Sequence, residues 1–290
     1  VREFAGKVAV ITGAASGFGR EFARLGAAQG MKLVLADIQP EPLAATVEEL
    51  RAQGAELRSL VVDVADGAQV ERLAQLAYAE FGVVHLLFNN AGVASGGLIW
   101  ENSERDWHWV LGVNLWGVIH GVRHFVPRML AAGDEGHVVN TASVAGFLSP
   151  PLMGVYNVSK HAVVALTETL YHDLRTVQAA VGVSLLAPAY VPTGIAQSQR
   201  VRPAYLAAEA PPTASQRLAQ AASEKAVESG RLSAAEVARL TFEAIREDRF
   251  YVLTHPAILP TIELRAADIL MLRNPSDPFS TRPEMKPGFG

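Results

Sequence analysis

The chain has 290 residues, half of them hydrophobic and 19% charged, the balance of a globular protein with room for one large domain or two small ones. A formal net charge of −4 gives no electrostatic reason to expect nucleic acid or an anionic membrane as a partner. With no cysteine, disulfides, thiolate nucleophiles and zinc–thiolate sites are excluded, which fits a reducing cytoplasm.

Val1 to Lys7 run almost straight into an apolar strand and carry no secretory signal; a start at Val rather than Met points to a trimmed chain. Strands are predicted at Val8–Thr12, Lys32–Ala36, Leu57–Val62, Val84–Asn89, His137–Thr141 and Gly182–Leu186. Helices are predicted between them at about 17–29, 41–53, 67–81, 103–131 and 155–180. Apolar strands alternating with helices imply βαβ units and a parallel sheet covered on both faces. Right-handed crossovers then make the fold α/β, a doubly wound Rossmann-type sheet in one domain over residues 1–273. No segment reaches the roughly 18 uninterrupted apolar residues of a membrane span.

From Pro188 to about Gly230 the sequence is rich in Pro, Ala, Ser and Gln and is read as a substrate lid over about 190–230. A helix at 234–247, a strand at Tyr251–Thr254 and a helix near 257–273 follow, and residues 274–290, with four prolines, read as an extended tail.

The first strand ends in Thr12-Gly13-Ala14-Ala15-Ser16-Gly17-Phe18-Gly19 and opens a helix. Glycines so spaced allow a tight turn, close backbone approach to a pyrophosphate and close helix–strand packing, and the helix N-terminus favours phosphate. Gly13, Ser16, Gly17, Phe18 and Gly19 are therefore cofactor candidates. Asp37, ending the second strand, can accept hydrogen bonds from adenosine ribose hydroxyls while repelling a 2′-phosphate, so NAD is expected in preference to NADP. Asp63 and Val64, ending the third strand, fall where the adenine edge would lie.

Tyr156 and Lys160 lie four residues apart at the start of a helix, one turn apart on one face. A phenol with its usual pKa of about 10 is a poor base at neutral pH, and a neighbouring ammonium favours the phenolate. Asn89-Asn90-Ala91-Gly92 and Ala142-Ser143 end two further strands, at the strand ends where open α/β sheets bind ligands.

Together the glycine turn at 12–19, Asn89-Asn90-Ala91-Gly92, Asn114, Ser143 and Tyr156-x-x-x-Lys160 resemble the classical short-chain dehydrogenase/reductase family, from about Gly6 to Thr193 and more loosely to 254. The resemblance implies that Tyr156 is the general acid–base, that Ser143 hydrogen-bonds the substrate oxygen, and that Lys160 lowers the Tyr156 pKa and holds the nicotinamide ribose. It implies that Asn114 keeps a water in a proton relay to the lysine, that Asn90, Ala91 and Gly92 border the cofactor, and that Pro188, Val191 and Thr193 meet the nicotinamide end. It departs at Pro188-Ala189-Tyr190, where the family commonly has Pro-Gly. By the same analogy a homodimer or homotetramer forms through the helices at 103–131 and 155–180, no metal is needed, and the location is cytoplasmic.

Ser95, Val144, Phe147, Met153 and Tyr190, with Ala94, Leu152 and the 195–212 segment, are the substrate-facing candidates. Being uncharged, they point to an apolar or aromatic secondary alcohol or ketone, although Arg200 and Arg202 lie in the loop where they would meet an acid. His120 and His124, four apart on a helix, read as surface or interface residues rather than metal ligands, and the Trp100–Trp116 cluster as core or interface. Two other functions compete. A catalytically idle dinucleotide-binding sensor or scaffold has no chemical need for Asn114, Ser143, Tyr156 and Lys160 together, and a nucleotide-sugar epimerase or dehydratase fits poorly with the glycine spacing and the short C-terminal part.

Overall fold

In the computed structural model, which describes residues 1–281, seven strands form one all-parallel sheet in the order β3-β2-β1-β4-β5-β6-β7. They are β1 Val8–Thr12, β2 Lys32–Asp37, β3 Leu57–Val61, β4 Leu86–Asn89, β5 Gly136–Thr141, β6 Val181–Ala187 and β7 Tyr251–Leu253. The order reverses between β1 and β4, which pair directly from Ala9↔Leu86 to Ile11↔Phe88. A crevice opens at such a switch point, beyond the carboxyl ends of the strands.

Strand periodicity divides the core. Ala9, Ile11, Leu33, Leu35 and Phe88 enter one cluster with Phe22 of α1 (Gly17–Ala28), Leu50 of α2 (Pro40–Ala52) and Phe242 of α8 (Ala234–Arg246). Val8, Val10, Val34 and Leu87 enter another with Leu73 of α3 (Gly67–Phe81), Phe125 of α5 (Gly117–Ala132) and Leu170 of α6 (Gly154–Thr176). Alternate residues of each strand thus bury against opposite helical layers.

Two predicted elements differ. The helix expected over 103–131 is α4 (Glu104–Leu111) and α5 joined by a π-helical turn over Gly112–Trp116. The segment expected as a lid loop contains 3₁₀ turns at Gly194–Val201 and Ala204–Leu206 and a 15-residue helix, α7 (Ala214–Glu228). Thr213 caps α7 in a reciprocal capping box with Gln216, a local signal strong enough to start a helix in a polar, alanine-rich stretch. The last described helix, α9 (Leu259–Leu270), is followed by a chain that folds back: Ser276 N–H donates to Asp268 Oδ2 at 2.8 Å. The expected extended tail is therefore tied to α9 as far as residue 281; residues 282–290 lie outside the described part.

Candidate active site

A cleft of about 670 Å³ runs across the carboxyl ends of the strands. At one end Gly13, Ser16, Gly17 and Phe18 line it, as do Asp37, Asp63 and Val64. Gly13 (φ +68°) and Gly17 (φ +52°) hold left-handed backbone, and a Cβ on Gly13 would meet Ala91 Cα at 2.9 Å, so the turn admits no side chain there. Gly19 does not line the cleft; it packs against the Gly13 carbonyl, where a Cβ has no room. The Ser16 side chain makes no cap bond to α1, which leaves the first N–H groups of the helix turned to the cleft without a side-chain acceptor. This cradle fits a dinucleotide pyrophosphate.

Asp37 is buried on this wall, with Oδ2 accepting from Ala15 N–H at 2.9 Å and Oδ1 from Gln39 N–H at 3.0 Å. Its carboxylate is thereby fixed in place and retains acceptor capacity toward the cleft. Asp63 Oδ1 accepts from Ala65 N–H at 2.9 Å, and His120 Nδ1 lies 3.0 Å from the Val64 carbonyl. His120 and Trp116, its ring centroid 5.6 Å away, join Val64 in the wall.

At the other end Ser143, Tyr156 and Lys160 meet. Ser143 follows β5, with its Oγ donating to the Pro188 carbonyl at 3.3 Å and accepting from Ala145 N–H at 3.2 Å. Its hydroxyl also reaches the Tyr156 phenol. Lys160 is buried, with Nζ donating to the Thr141 carbonyl at 2.9 Å and lying 5.6 Å from the centre of the Tyr156 ring. Burial dominates both titrations here: it pushes the phenol up to about 12, against the Ser143 hydrogen bond, and the ammonium down to about 8. The Lys160 ammonium is turned to the Thr141 carbonyl in this arrangement.

Asn114 sits in the π-turn, a helical irregularity that recurs at functional sites. Its side chain accepts from Val93 N–H at 2.8 Å and donates to the Val93 carbonyl and to Ser159 Oγ at 2.9 and 3.0 Å. Asn114 thus clamps the Asn90–Val93 loop to α6, and a Cβ on Gly92 would lie 3.5 Å from its Oδ1 and 3.7 Å from Lys160 Nζ. Asn90, Ala91, Gly92, Pro188, Val191 and Thr193 all line the cleft. Ala189 does so too without a positive φ, its N–H donating to His255 Nδ1 at 3.3 Å, so alanine is accommodated where the family commonly has glycine.

Val144, Met153 and Tyr190 line the cleft as expected, whereas Phe147 and Ser95 do not. The Phe147 ring packs edge-on to Tyr251, 6.1 Å between centroids, because the 3₁₀ turn after Ser143 carries it onto the sheet edge. Ala94 takes the place expected of Ser95, its N–H donating to Ser198 Oγ at 3.0 Å, and the chain then passes under α7. Arg202 meets no open cleft: it pairs with Asp106 at 2.7 Å, both side chains buried. Arg200 is on the wall but spends its guanidinium on the Gly194 and Gln197 carbonyls.

Several contributors were not singled out from the sequence. Thr12 Oγ1 accepts from the N–H groups of Asn90 and Ala91, and the Thr141 carbonyl holds Lys160; both fall inside motifs as strand ends. Val227, Ile258 and Phe279 come from distant segments, with no local signal.

Against known proteins, the short chain dehydrogenase family model matches residues 7–203. A crystal structure of a short-chain dehydrogenase/reductase from Burkholderia phymatum in complex with NAD is 62% identical, covers 97% of this chain and all of its own, and has a TM-score of 0.95. The CLA biosynthesis dehydrogenase/reductase of Lactiplantibacillus plantarum is 33% identical over 93% of this chain and 95% of its own length. An alcohol dehydrogenase from the archaeon Thermococcus sibiricus, complexed with 5-hydroxy-NADP, is 27% identical with a TM-score of 0.70, covering 85% of this chain and 95% of its own.

Proposed function

The chain belongs to the classical short-chain dehydrogenase/reductase family and is an oxidoreductase of that family; from that premise we propose that it interconverts an apolar or aromatic secondary alcohol and its ketone with NAD. The observation that carries this reading is the convergence of Ser143, Tyr156 and Lys160 at one end of a cleft whose other end holds the glycine turn and Asp37. The nicotinamide dinucleotide, when bound, supplies the acceptor or donor of hydride.

In the oxidative direction the alcohol O–H proton passes to the ionised Tyr156 oxygen, and in reduction the phenol returns a proton to the carbonyl oxygen. Ser143 donates a hydrogen bond to that same oxygen and steadies the charge developing on it. Lys160 provides the cationic partner for the phenolate once it turns from the Thr141 carbonyl, and holds the ribose beside the nicotinamide. Asn114 supports a proton route to Lys160 from the π-turn. Pro188, Val191 and Thr193 border the nicotinamide end. Val144, Leu148 and Met153 offer a substrate no ionic partner and Tyr190 only a phenol, which favours an apolar group beside the reacting carbon.

Asp37 supports NAD, since a fixed carboxylate at the ribose repels a 2′-phosphate. The NAD complex of the Burkholderia phymatum relative agrees with this preference, while the Thermococcus sibiricus relative takes an NADP derivative. We also propose a cytoplasmic homodimer or homotetramer. Half-exposed Trp116 on the π-turn and Val158 on α6 are suited to subunit contact.

The decisive test is Tyr156→Phe, followed by reduced-nicotinamide absorbance over a panel of secondary alcohols and ketones. Turnover is expected to fall by about 10²–10⁴, the range of general acid–base catalysis, with dinucleotide affinity retained. Near-normal turnover would remove the phenol from the chemistry.

A further inference from the structure

The folded-back C-terminus approaches the same cleft. Beyond α9 the chain turns at Leu272, whose φ of +53° is left-handed, and Arg273 N–H donates to the Asp268 carbonyl at 2.9 Å. The Asp268 carboxylate accepts from Ser276 N–H and pairs with Arg273 at 2.9 Å. Further on, Thr281 Oγ1 meets the buried Thr261 Oγ1 at 2.7 Å. The two ties, at Asp268 and Thr261, are seven helical residues apart, roughly 10 Å along the axis. The five residue steps from Ser276 to Thr281, reaching at most about 17 Å when extended, return between them. The slack is taken by a turn in which Phe279 N–H donates to Asp277 Oδ1 and Ser280 N–H to the Asp277 carbonyl, each at 2.9 Å.

Pro278 and Phe279 lie between the ties, half-buried, and line the cleft together with Ile258 and Thr261. The chain ties this wall to the reaction end. Ile258 is three residues from His255, which receives the Ala189 N–H, and Tyr190, next in sequence, is close enough to influence the Tyr156 phenol. Val227 of α7 lines the same cleft, and the carbonyl of Tyr190 packs against Gly230 just beyond it.

We propose that residues 274–281 form a strap that closes the outer wall of the substrate site, and that Phe279 on it selects substrates by the apolar group carried beyond the reacting carbon. The inference rests on the alcohol–ketone reading above. A half-buried phenyl ring on the cleft wall has apolar surface that a hydrocarbon chain or aryl ring would cover. A small alcohol such as 2-propanol does not extend that far.

The test compares kcat/KM for 2-decanol and 4-phenyl-2-butanol with that for 2-propanol in the full-length wild type, Phe279→Ala and Phe279→Leu. The large-to-small ratio is expected to fall about 10-fold in Phe279→Ala, within the range of apolar-pocket discrimination, and to recover largely in Phe279→Leu. Asp268→Asn, which loosens the strap without touching the cleft, is expected to lower the same ratio less. A ratio unchanged in Phe279→Ala overturns the proposal, as does a loss equal for large and small substrates. Calorimetric binding of 2-decanone to the NADH-loaded protein makes the comparison independent of turnover. Weaker binding in Phe279→Ala by a protein that oxidises no alcohol would uphold the strap and overturn the alcohol–ketone reading; equal binding would overturn the strap.

Discussion

Asp37 shows how one carboxylate serves structure and selectivity together. It holds the phosphate-binding turn through Ala15 N–H and the start of the next connection through Gln39 N–H, and its burial on the cleft wall leaves it no freedom to swing away. Asp37→Asn keeps an acceptor but removes the charge and serves only one of the two N–H groups. The NAD-to-NADP ratio of kcat/KM is expected to fall about 10-fold or more, equivalent to about 1.4 kcal/mol of discrimination. Steady-state kinetics with both cofactors checks this, and an unchanged ratio would refute the role. At this scale the site was legible wherever a local rule fixed the geometry: Tyr156 and Lys160 by one turn of helix, Gly13 and Gly17 by the turn they permit. Phe279 was not legible, because its place is set by a strap tied to α9 and nothing in the 274–290 composition encodes that return. The strand-end carbonyl that holds Lys160 was also hidden, since the sequence gives no signal for a backbone partner on β5.

At the scale of elements, the region after β6 is anchored to α4 by one buried ion pair. Arg202 bonds Asp106 at 2.7 Å, donates through Nε to the Leu206 carbonyl at 2.6 Å, and stands over the Trp109 ring at 5.0 Å. Asp106 in turn closes the capping box with Ser103 that starts α4. Removing one partner of a buried pair costs about 3–5 kcal/mol, because the other charge is left unpaired. Arg202→Met is therefore expected to lower the melting temperature by several degrees, raise KM, and expose residues 194–213 to limited proteolysis. Asp106→Asn added to Arg202→Met is expected to restore part of the loss, as the stranded charge is gone while an acceptor for the Ser103 N–H remains. Wild-type melting and protease resistance in Arg202→Met would show that the pair does not anchor this segment. Elements of this kind are only partly readable. α3 was placed correctly from its apolar period, but α7 was hidden by a Pro-rich, Ala-rich context although its capping box Thr213–Gln216 was in view. The π-turn was hidden because the apolar pattern runs through it unbroken; Gly112 and Gly117, packed against Ala65 and Val64, were the only trace.

At the scale of the whole molecule, the amino-terminal end of the strands, remote from the cleft, carries an acid sensitivity. His85, just before β4, accepts the Val8 N–H at Nδ1 (3.0 Å), so protonation there would set a donor against a donor. His137 of β5, 1% exposed, lies 2.8 Å from Ser184 Oγ through Nε2; that hydroxyl donates to the Arg249 carbonyl, so the histidine donates and its Nδ1 is bare. Asp248 is 4.0 Å from Nδ1 and already paired with Arg175. Burial holds the pKa of both histidines below the usual 6.5, that of His137 at about 3. Above pH 6.5 both are neutral, folded or unfolded, and they add no pH dependence. Below it the unfolded chain takes up protons that the folded chain refuses, so stability falls as pH falls, by up to about 1.4 kcal/mol per unit for each histidine, until the folded pKa is reached. The window is distinct from that of the paired carboxylates: Glu49, held near 2 by Arg24 and Arg20, gives up its contribution only below the ordinary value of 4.5. Urea midpoints are therefore expected to drop already between pH 6.5 and 5, and to drop less steeply in His137→Gln. A midpoint flat over that interval in the wild type, or an equal slope in the variant, would mean that the buried histidine does not couple folding to acid.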